Sequence, residues 1–174
     1  MKKTGPILLL LCLALICILA LTGCTEENEK VETGPVKGHS DNLVAVHYPE
    51  ERAVLAVDAL WIDRVSFLDL PFKHFFPGAI EGLRIIEDLD FDILLTGHGV
   101  HGTGGGAIGV KEDVREFREY FEALYDKVVK AREDGLGKEE AMASIKLPEY
   151  SHLDMFDKWF KLNIKGMWFH MYGE

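Results

Sequence analysis

The sequence predicts an α/β domain in which helices cover one face of a sheet, behind an N-terminal segment that stays outside the fold. Three observations lead to this prediction: two apolar runs joined by a turn, a third apolar run that ends in a glycine-rich loop, and a long amphipathic stretch with helical spacing. The 174 residues are 48% hydrophobic and 28% charged. This composition excludes a disordered chain, and the length suffices for one ordinary domain.

The first residues have the pattern of an export signal. Lys2 and Lys3 precede an almost wholly apolar run over residues 7–21. The run is shorter than the roughly 20 residues that span a bilayer comfortably, and it suits the core of a signal peptide. It ends in Leu21-Thr22-Gly23-Cys24, which resembles the bacterial lipobox. The alternative is a plain membrane anchor with a chance cysteine.

The lipobox resemblance implies a lipid-anchored protein of the bacterial cell envelope. Residues 1–23 would be a signal peptide, and lipid on Cys24 would make the membrane a partner. Residues 24–37 are polar, charged and without periodicity, so we expect a flexible tether there. The folded domain is then expected over residues 38–174.

Charge and cysteine content narrow the function classes. The chain has 19 Lys and Arg against 29 Asp and Glu, a net charge of −10, and no basic patch, so nucleic acid is not an expected partner. Cys12 and Cys17 lie in the expected signal peptide and Cys24 at the expected lipidation site. No thiol then remains for a disulfide or a catalytic role, and any metal site must use His and carboxylate side chains.

Three strands are predicted. Residues 43–48 and 53–57 are nearly continuous apolar runs, and residues 49–52 between them supply a turn. Such runs indicate strands inside a sheet with at least one face well covered. Residues 91–96 form the third strand, and a glycine-rich loop is expected over residues 97–109.

Four helices are predicted from apolar spacing and from their stop signals. They cover residues 79–89, 113–133, 138–145 and 153–171. The last of them is rich in aromatic residues, which we interpret as core. A lipid- or partner-binding surface is the alternative for this segment.

Candidate metal ligands stand where strand ends meet loops. His39 precedes the first strand, Asp58 follows the second, and His98 follows the third in Gly97-His98-Gly99. Rigid elements at such positions direct side chains into a shared cavity. Imidazole nitrogen and carboxylate oxygen are ligands suited to zinc or iron. The alternative for each is a structural hydrogen bond.

The arrangement as a whole resembles the metallo-β-lactamase-fold hydrolases. The resemblance is found in the segments GHSDNLVAVHYPEERAVLAVDAL and FDILLTGHGVHGTG and in the helices that follow. It covers residues 37–172. It implies that His39 binds a first metal ion, that Asp58 bridges two ions, and that His98 binds the second. It also implies zinc, with iron and manganese as alternatives, and hydrolysis of an ester, thioester or amide bond. His101 is an additional candidate ligand, or else a loop histidine that faces water.

The sequence departs from the family in its catalytic motif. The H-x-H-x-D-H motif, which supplies most of the other ligands, does not occur among the seven histidines. The fold expectation is therefore the C-terminal half of the family's αβ/βα sandwich, with the N-terminal half missing. We expect a weak or inactive enzyme whose uncovered sheet meets a second copy or a partner chain. The alternative function is a non-catalytic envelope lipoprotein that binds a protein through this partial fold.

Overall fold

A computed structural model describes residues 32–35, 43–70, 76–99 and 107–173, with the backbone alone for residues 32–35 and 107. The predicted signal peptide, Cys24, His39 and His101 lie outside these ranges, so the structure does not test them.

The described residues form one mixed sheet. Its strands are β1 (Glu32–Pro35), β2 (Val44–Tyr48), β3 (Ala53–Leu55), β4 (Ile93–Thr96) and β5 (Ala107–Gly109). They follow one another in chain order, and β3 and β4 are parallel while every other neighbouring pair is antiparallel. The helix between β3 and β4 makes the crossover that parallel strands require.

The three predicted strands are confirmed as β2, β3 and β4, and two further strands correct the prediction. β1 lies inside the expected tether, where Glu32–Pro35 pairs with β2. β5 lies inside the expected glycine-rich loop, where Ala107–Gly109 pairs with β4. Both are held by backbone hydrogen bonds to a neighbouring strand. Such bonds do not require an alternating apolar pattern in the sequence.

The four predicted helices are present: α1 (Phe76–Asp88), α2 (Lys111–Glu133), α3 (Lys138–Ser144) and α4 (Phe156–Tyr172), with a 3-10 turn at Pro148–Tyr150. The start of α3 is as predicted, and the other three starts are shifted. α1 begins at Phe76 because Pro77 fits the first turn of a helix, where no backbone N–H is needed. α2 begins at Lys111, and the backbone N–H of Val110 donates to the Asp113 carboxylate over 2.6 Å. No described helix is both long and apolar enough to cross a membrane.

The helices and the sheet share one core. Ala45, Val54 and Leu94 are buried beneath side chains of the helices. In α4, Phe160 and Trp168 belong to this core, in agreement with the interpretation of the aromatic segment. Phe169 is an exception to that interpretation, since its side chain is 55% exposed.

The opposite face of the sheet is apolar and partly exposed among the described residues. Strand register aligns Val46, Leu55, Leu95 and Ile108 in one row across β2 to β5. Ile108 is 76% exposed. We call this surface the outer face; its side chains are those of Val44, Val46, Tyr48, Ala53, Leu55, Ile93, Leu95 and Ile108. It contains no charged residue among the described strands, as expected for a sheet that is built to be covered on both sides.

Candidate metal centre

Two of the predicted metal ligands meet at one edge of the sheet. Asp58 follows β3 and His98 follows β4, and the carboxyl ends of these parallel strands lie side by side. The backbone N–H of Ala56 donates to the carbonyl of Leu95 over 2.9 Å, which extends the pairing beyond β3. As a result, His98 Nε2 and Asp58 Oδ1 are 2.7 Å apart.

The backbone around this pair is adapted to the contact. Asp58 has a left-handed backbone conformation with φ of 61°. At this residue the chain therefore turns away from the direction of β3. A Cβ atom on Gly97 would lie 2.9 Å from Val57 Cγ1 and 3.3 Å from Asp58 Oδ1. Glycine at position 97 therefore leaves the room that the Asp58 carboxylate occupies.

Further contacts fix the position of His98. The Thr96 hydroxyl donates to the backbone carbonyl of His98 over 2.7 Å. The indole of Trp61 stacks on the imidazole, with ring centroids 5.3 Å apart and planes 9° apart. Trp61 is itself buried and packs against Phe117, so the plane of the imidazole is held by a fixed partner. Trp61 was not among the predicted site residues. Its position three residues after Asp58 is the sequence feature that could have indicated it.

The donor atoms fit a metal ion and remain accessible to one. The side chains of His98 and Asp58 are 47% and 34% exposed. An imidazole nitrogen and a carboxylate oxygen that lie this close together are donor atoms that suit zinc, and both would be available to hold the ion.

The ligand set within the described residues is incomplete. No group of three or more His, Cys, Asp or Glu side chains that could hold a metal ion occurs there. The remaining predicted ligands, His39 and His101, lie outside the described residues. The structure thus brings Asp58 and His98 together and leaves the rest of the set as a prediction.

The other described histidines make structural contacts. His47 and His170 bond to the backbone carbonyls of Asp90 and Leu70. His152 Nε2 lies 2.8 Å from Glu116 Oε1, a contact almost as short as the one at His98. This second pair joins a surface turn to α2, away from the sheet edge, and offers a matched control for the first.

Comparison with solved structures identifies the fold. No family model and no curated protein matches the sequence. The stereoselective inverting sec-alkylsulfatase Pisa1 from Pseudomonas sp. matches with a TM-score of 0.63 and 15% identity, over 82% of this chain and 24% of that chain. A double mutant of the same sulfatase matches with a TM-score of 0.57 and 14% identity, over the same shares. A metallo-β-lactamase family protein from Thermus thermophilus matches with a TM-score of 0.51 and 20% identity, over 82% of this chain and 42% of that chain.

The chain has part of the metallo-β-lactamase fold. The predicted α/β class, with a mixed sheet and helices, is therefore confirmed. The chain spans 24% of the length of the sulfatase and 42% of the length of the Thermus thermophilus protein. Within the metallo-β-lactamase fold, Asp58 and His98 occupy the sheet edge at which β3 and β4 end.

Proposed function

We propose that this protein is a metal-dependent hydrolase of the metallo-β-lactamase fold, with Asp58 and His98 among its metal ligands. The observation that carries the proposal is the 2.7 Å contact between His98 Nε2 and Asp58 Oδ1 at an exposed edge of the sheet. The fold likeness to a sec-alkylsulfatase supports hydrolysis as the class of reaction.

The proposed site takes zinc, with iron and manganese as alternatives, and adds His39 and His101 to the described pair. A divalent ion supplies Lewis acidity, which polarises the bond to be cleaved and lowers the pKa of a water molecule. Asp58 contributes the negative charge that holds the ion, and His98 contributes a neutral nitrogen. Trp61 orients the imidazole by stacking on it.

The proposed substrates are compounds with an ester, thioester, amide or sulfate ester bond. Turnover is expected to be slow because the H-x-H-x-D-H motif is absent from the sequence. Fewer ligands hold the ion less firmly and position a nucleophile less well.

The test is metal-dependent hydrolysis by the full chain. After treatment with a chelator, p-nitrophenyl acetate and p-nitrophenyl sulfate are offered with and without added zinc. We expect slow release of p-nitrophenol that needs zinc and is lost in His98→Gln, while His152→Gln keeps the wild-type rate. Zinc-dependent release that is the same in both variants would count against this site.

A second proposal follows from the outer face: this surface binds a second copy of the chain. The described side chains of this face are apolar and uncharged, so its partner must present a surface of the same kind, which another copy does. From strand spacing and rise, the four strands β2 to β5 offer an area on the order of 250 Å² per copy. Interfaces of that size are transient, so the expected dimer is weak.

Two isoleucines provide a matched test of that interface. Ile93 on the outer face and Ile85 on α1 are both 43% exposed. Sedimentation of the full chain at rising concentration should show association that Ile93→Lys abolishes and Ile85→Lys preserves. A chain that stays monomeric at all concentrations would contradict the dimer and would favour a different protein as the partner. Equal effects of the two changes would exclude the outer face as the dimer contact.

We propose further that the protein is exported and anchored through lipid on Cys24. The support is the lipobox resemblance of Leu21-Thr22-Gly23-Cys24. Cells that express the full chain should incorporate labelled palmitate into it, and Cys24→Ala should lose the label while Cys17→Ala retains it. Label that persists in Cys24→Ala would refute the anchor.

A further inference from the structure

A cavity of about 360 Å³ lies away from the proposed metal centre. It opens between α4, the start of α3 and the segment that precedes α1. Its volume falls within the range of small-molecule sites, and Asp58, Trp61 and His98 do not line it. The residues around it are Asp69, Lys138, Lys165, Gly166, Phe169 and His170.

The cavity is held open by close packing on one side. A Cβ atom on Gly166 would lie within 1.8 Å of the Asp69 carbonyl oxygen, so the α4 backbone rests directly on the segment at Asp69. The imidazole Nε2 of His170 donates to the carbonyl of Leu70 over 2.8 Å and ties the same segment to α4. These contacts join α4 to residues 69 and 70, and the two segments together line one side of the cavity.

The cavity combines positive charge with an apolar wall. Lys138 and Lys165 both line it, and the acidic residue among its lining is Asp69, whose Oδ2 is 3.7 Å from Lys165 Nζ. Among the described lining residues, two lysines thus face one carboxylate, an excess of one positive charge in a chain whose net charge is −10. Phe169 lines the same cavity, and its side chain is 55% exposed.

We propose that this cavity binds an amphipathic organic monoanion, a carboxylate or sulfate group attached to a short apolar body. The ammonium groups of Lys138 and Lys165 would donate to the anionic oxygens, and the ring of Phe169 would cover the apolar body. One excess positive charge matches a monoanion better than a polyphosphate, and it disfavours a metal cation.

The probe for this proposal is 4-phenylbutyrate, compared with the neutral 4-phenylbutanamide of nearly the same shape. Ligand-observed NMR titration of the full chain should show that the carboxylate binds at least about tenfold more tightly than the amide, as expected for hydrogen bonds to a charged group. The double change Lys138→Gln with Lys165→Gln should remove this preference. Phe169→Ala should weaken the binding of both compounds.

A charge-matched control separates the cavity from general attraction. Lys127→Gln with Lys158→Gln also removes two lysines, both exposed and outside the cavity lining, and it should keep the wild-type preference. The apolar residues 7–21 can attract both compounds, which is why the preference for the anion is the quantity measured. Equal affinity for acid and amide, an unchanged preference in the cavity variant, or no saturable binding of the acid would each overturn the proposal. None of these results bears on the metal centre.

Discussion

The Nε2 atom of His98 lies 2.7 Å from the Oδ1 atom of Asp58, at the edge where two parallel strands end. A pair of similar length, His152 with Glu116, lies on the surface of the same protein. The two pairs differ in what packs against the imidazole: that of His98 stacks on the buried side chain of Trp61. Because an ion needs ligands that are already in position, this difference is the reason that we propose the Asp58 pair as the metal site.

Gly97→Ala should disturb the proposed metal centre without replacing either of the ligands Asp58 and His98. The added Cβ would press on Val57 Cγ1 at 2.9 Å and on Asp58 Oδ1 at 3.3 Å, and would displace the carboxylate. We expect zinc affinity to fall by about tenfold and the free energy of unfolding to fall by about 1–2 kcal/mol. Calorimetric titration with zinc and urea unfolding measure the two effects. Unchanged zinc affinity in a destabilised variant would mean that Asp58 does not hold the ion.

Asn163 should be the most costly polar residue to remove from the core. Its side chain is fully buried, accepts from the Tyr120 hydroxyl over 2.7 Å, and donates to the carbonyls of Ser66 and Leu68. Asn163→Ala leaves these three groups without their partner, at an expected cost of about 3 kcal/mol or more in the free energy of unfolding.

Tyr120→Phe provides the comparison for that change. It removes one hydroxyl and keeps the ring, so urea unfolding should show a loss of only about 1–2 kcal/mol. If the two variants lost equal stability, the contacts of Asn163 with the backbone of residues 66 and 68 would contribute nothing.

The ion pairs between α1 and α2 predict a loss of stability in acid. Burial acts to raise the pKa of Glu87, but hydrogen bonds from Arg118 and Arg115 outweigh it and lower the pKa below its ordinary value of 4.5. Because the unfolded chain binds this proton first, the stabilisation is complete above pH 4.5 and is lost as the pH falls through the lower pKa of the folded state.

Glu87→Gln tests that dependence. The variant should be less stable than the wild type at pH 7 by about 2 kcal/mol, and the difference should shrink as the pH falls below 4.5. Glu139→Gln, at an exposed position in α3, serves as the control. Urea unfolding at several pH values measures both, and a constant difference across the range would refute the assignment.

Local sequence patterns were sufficient to predict many of the strands and helices of this fold. The strands at Val44–Tyr48 and Ile93–Thr96 are apolar runs, and the long helix Lys111–Glu133 has an apolar stripe at helical spacing. Asp58 and His98 could be found because each follows a predicted strand. In these cases the signal lies within a few consecutive residues.

Features that depend on distant partners could not be predicted in this way. Glu32–Pro35 becomes a strand because β2 offers a free edge, and its own sequence has no alternating pattern. The stacking of Trp61 on His98 depends on how the chain after β3 turns back toward the end of β4. The left-handed backbone of Asp58 likewise follows from that turn and has no local signal such as glycine.

The central claim, that Asp58 and His98 hold a metal ion, is tested most directly by titrating zinc into the full chain in a calorimeter. We predict saturable binding that weakens by more than about tenfold in His98→Gln and in Asp58→Asn, since each change removes a ligand. His152→Gln should bind zinc as the wild type does. Zinc affinity that is equal in His98→Gln and the wild type, or that depends on His152 instead, would contradict the claim.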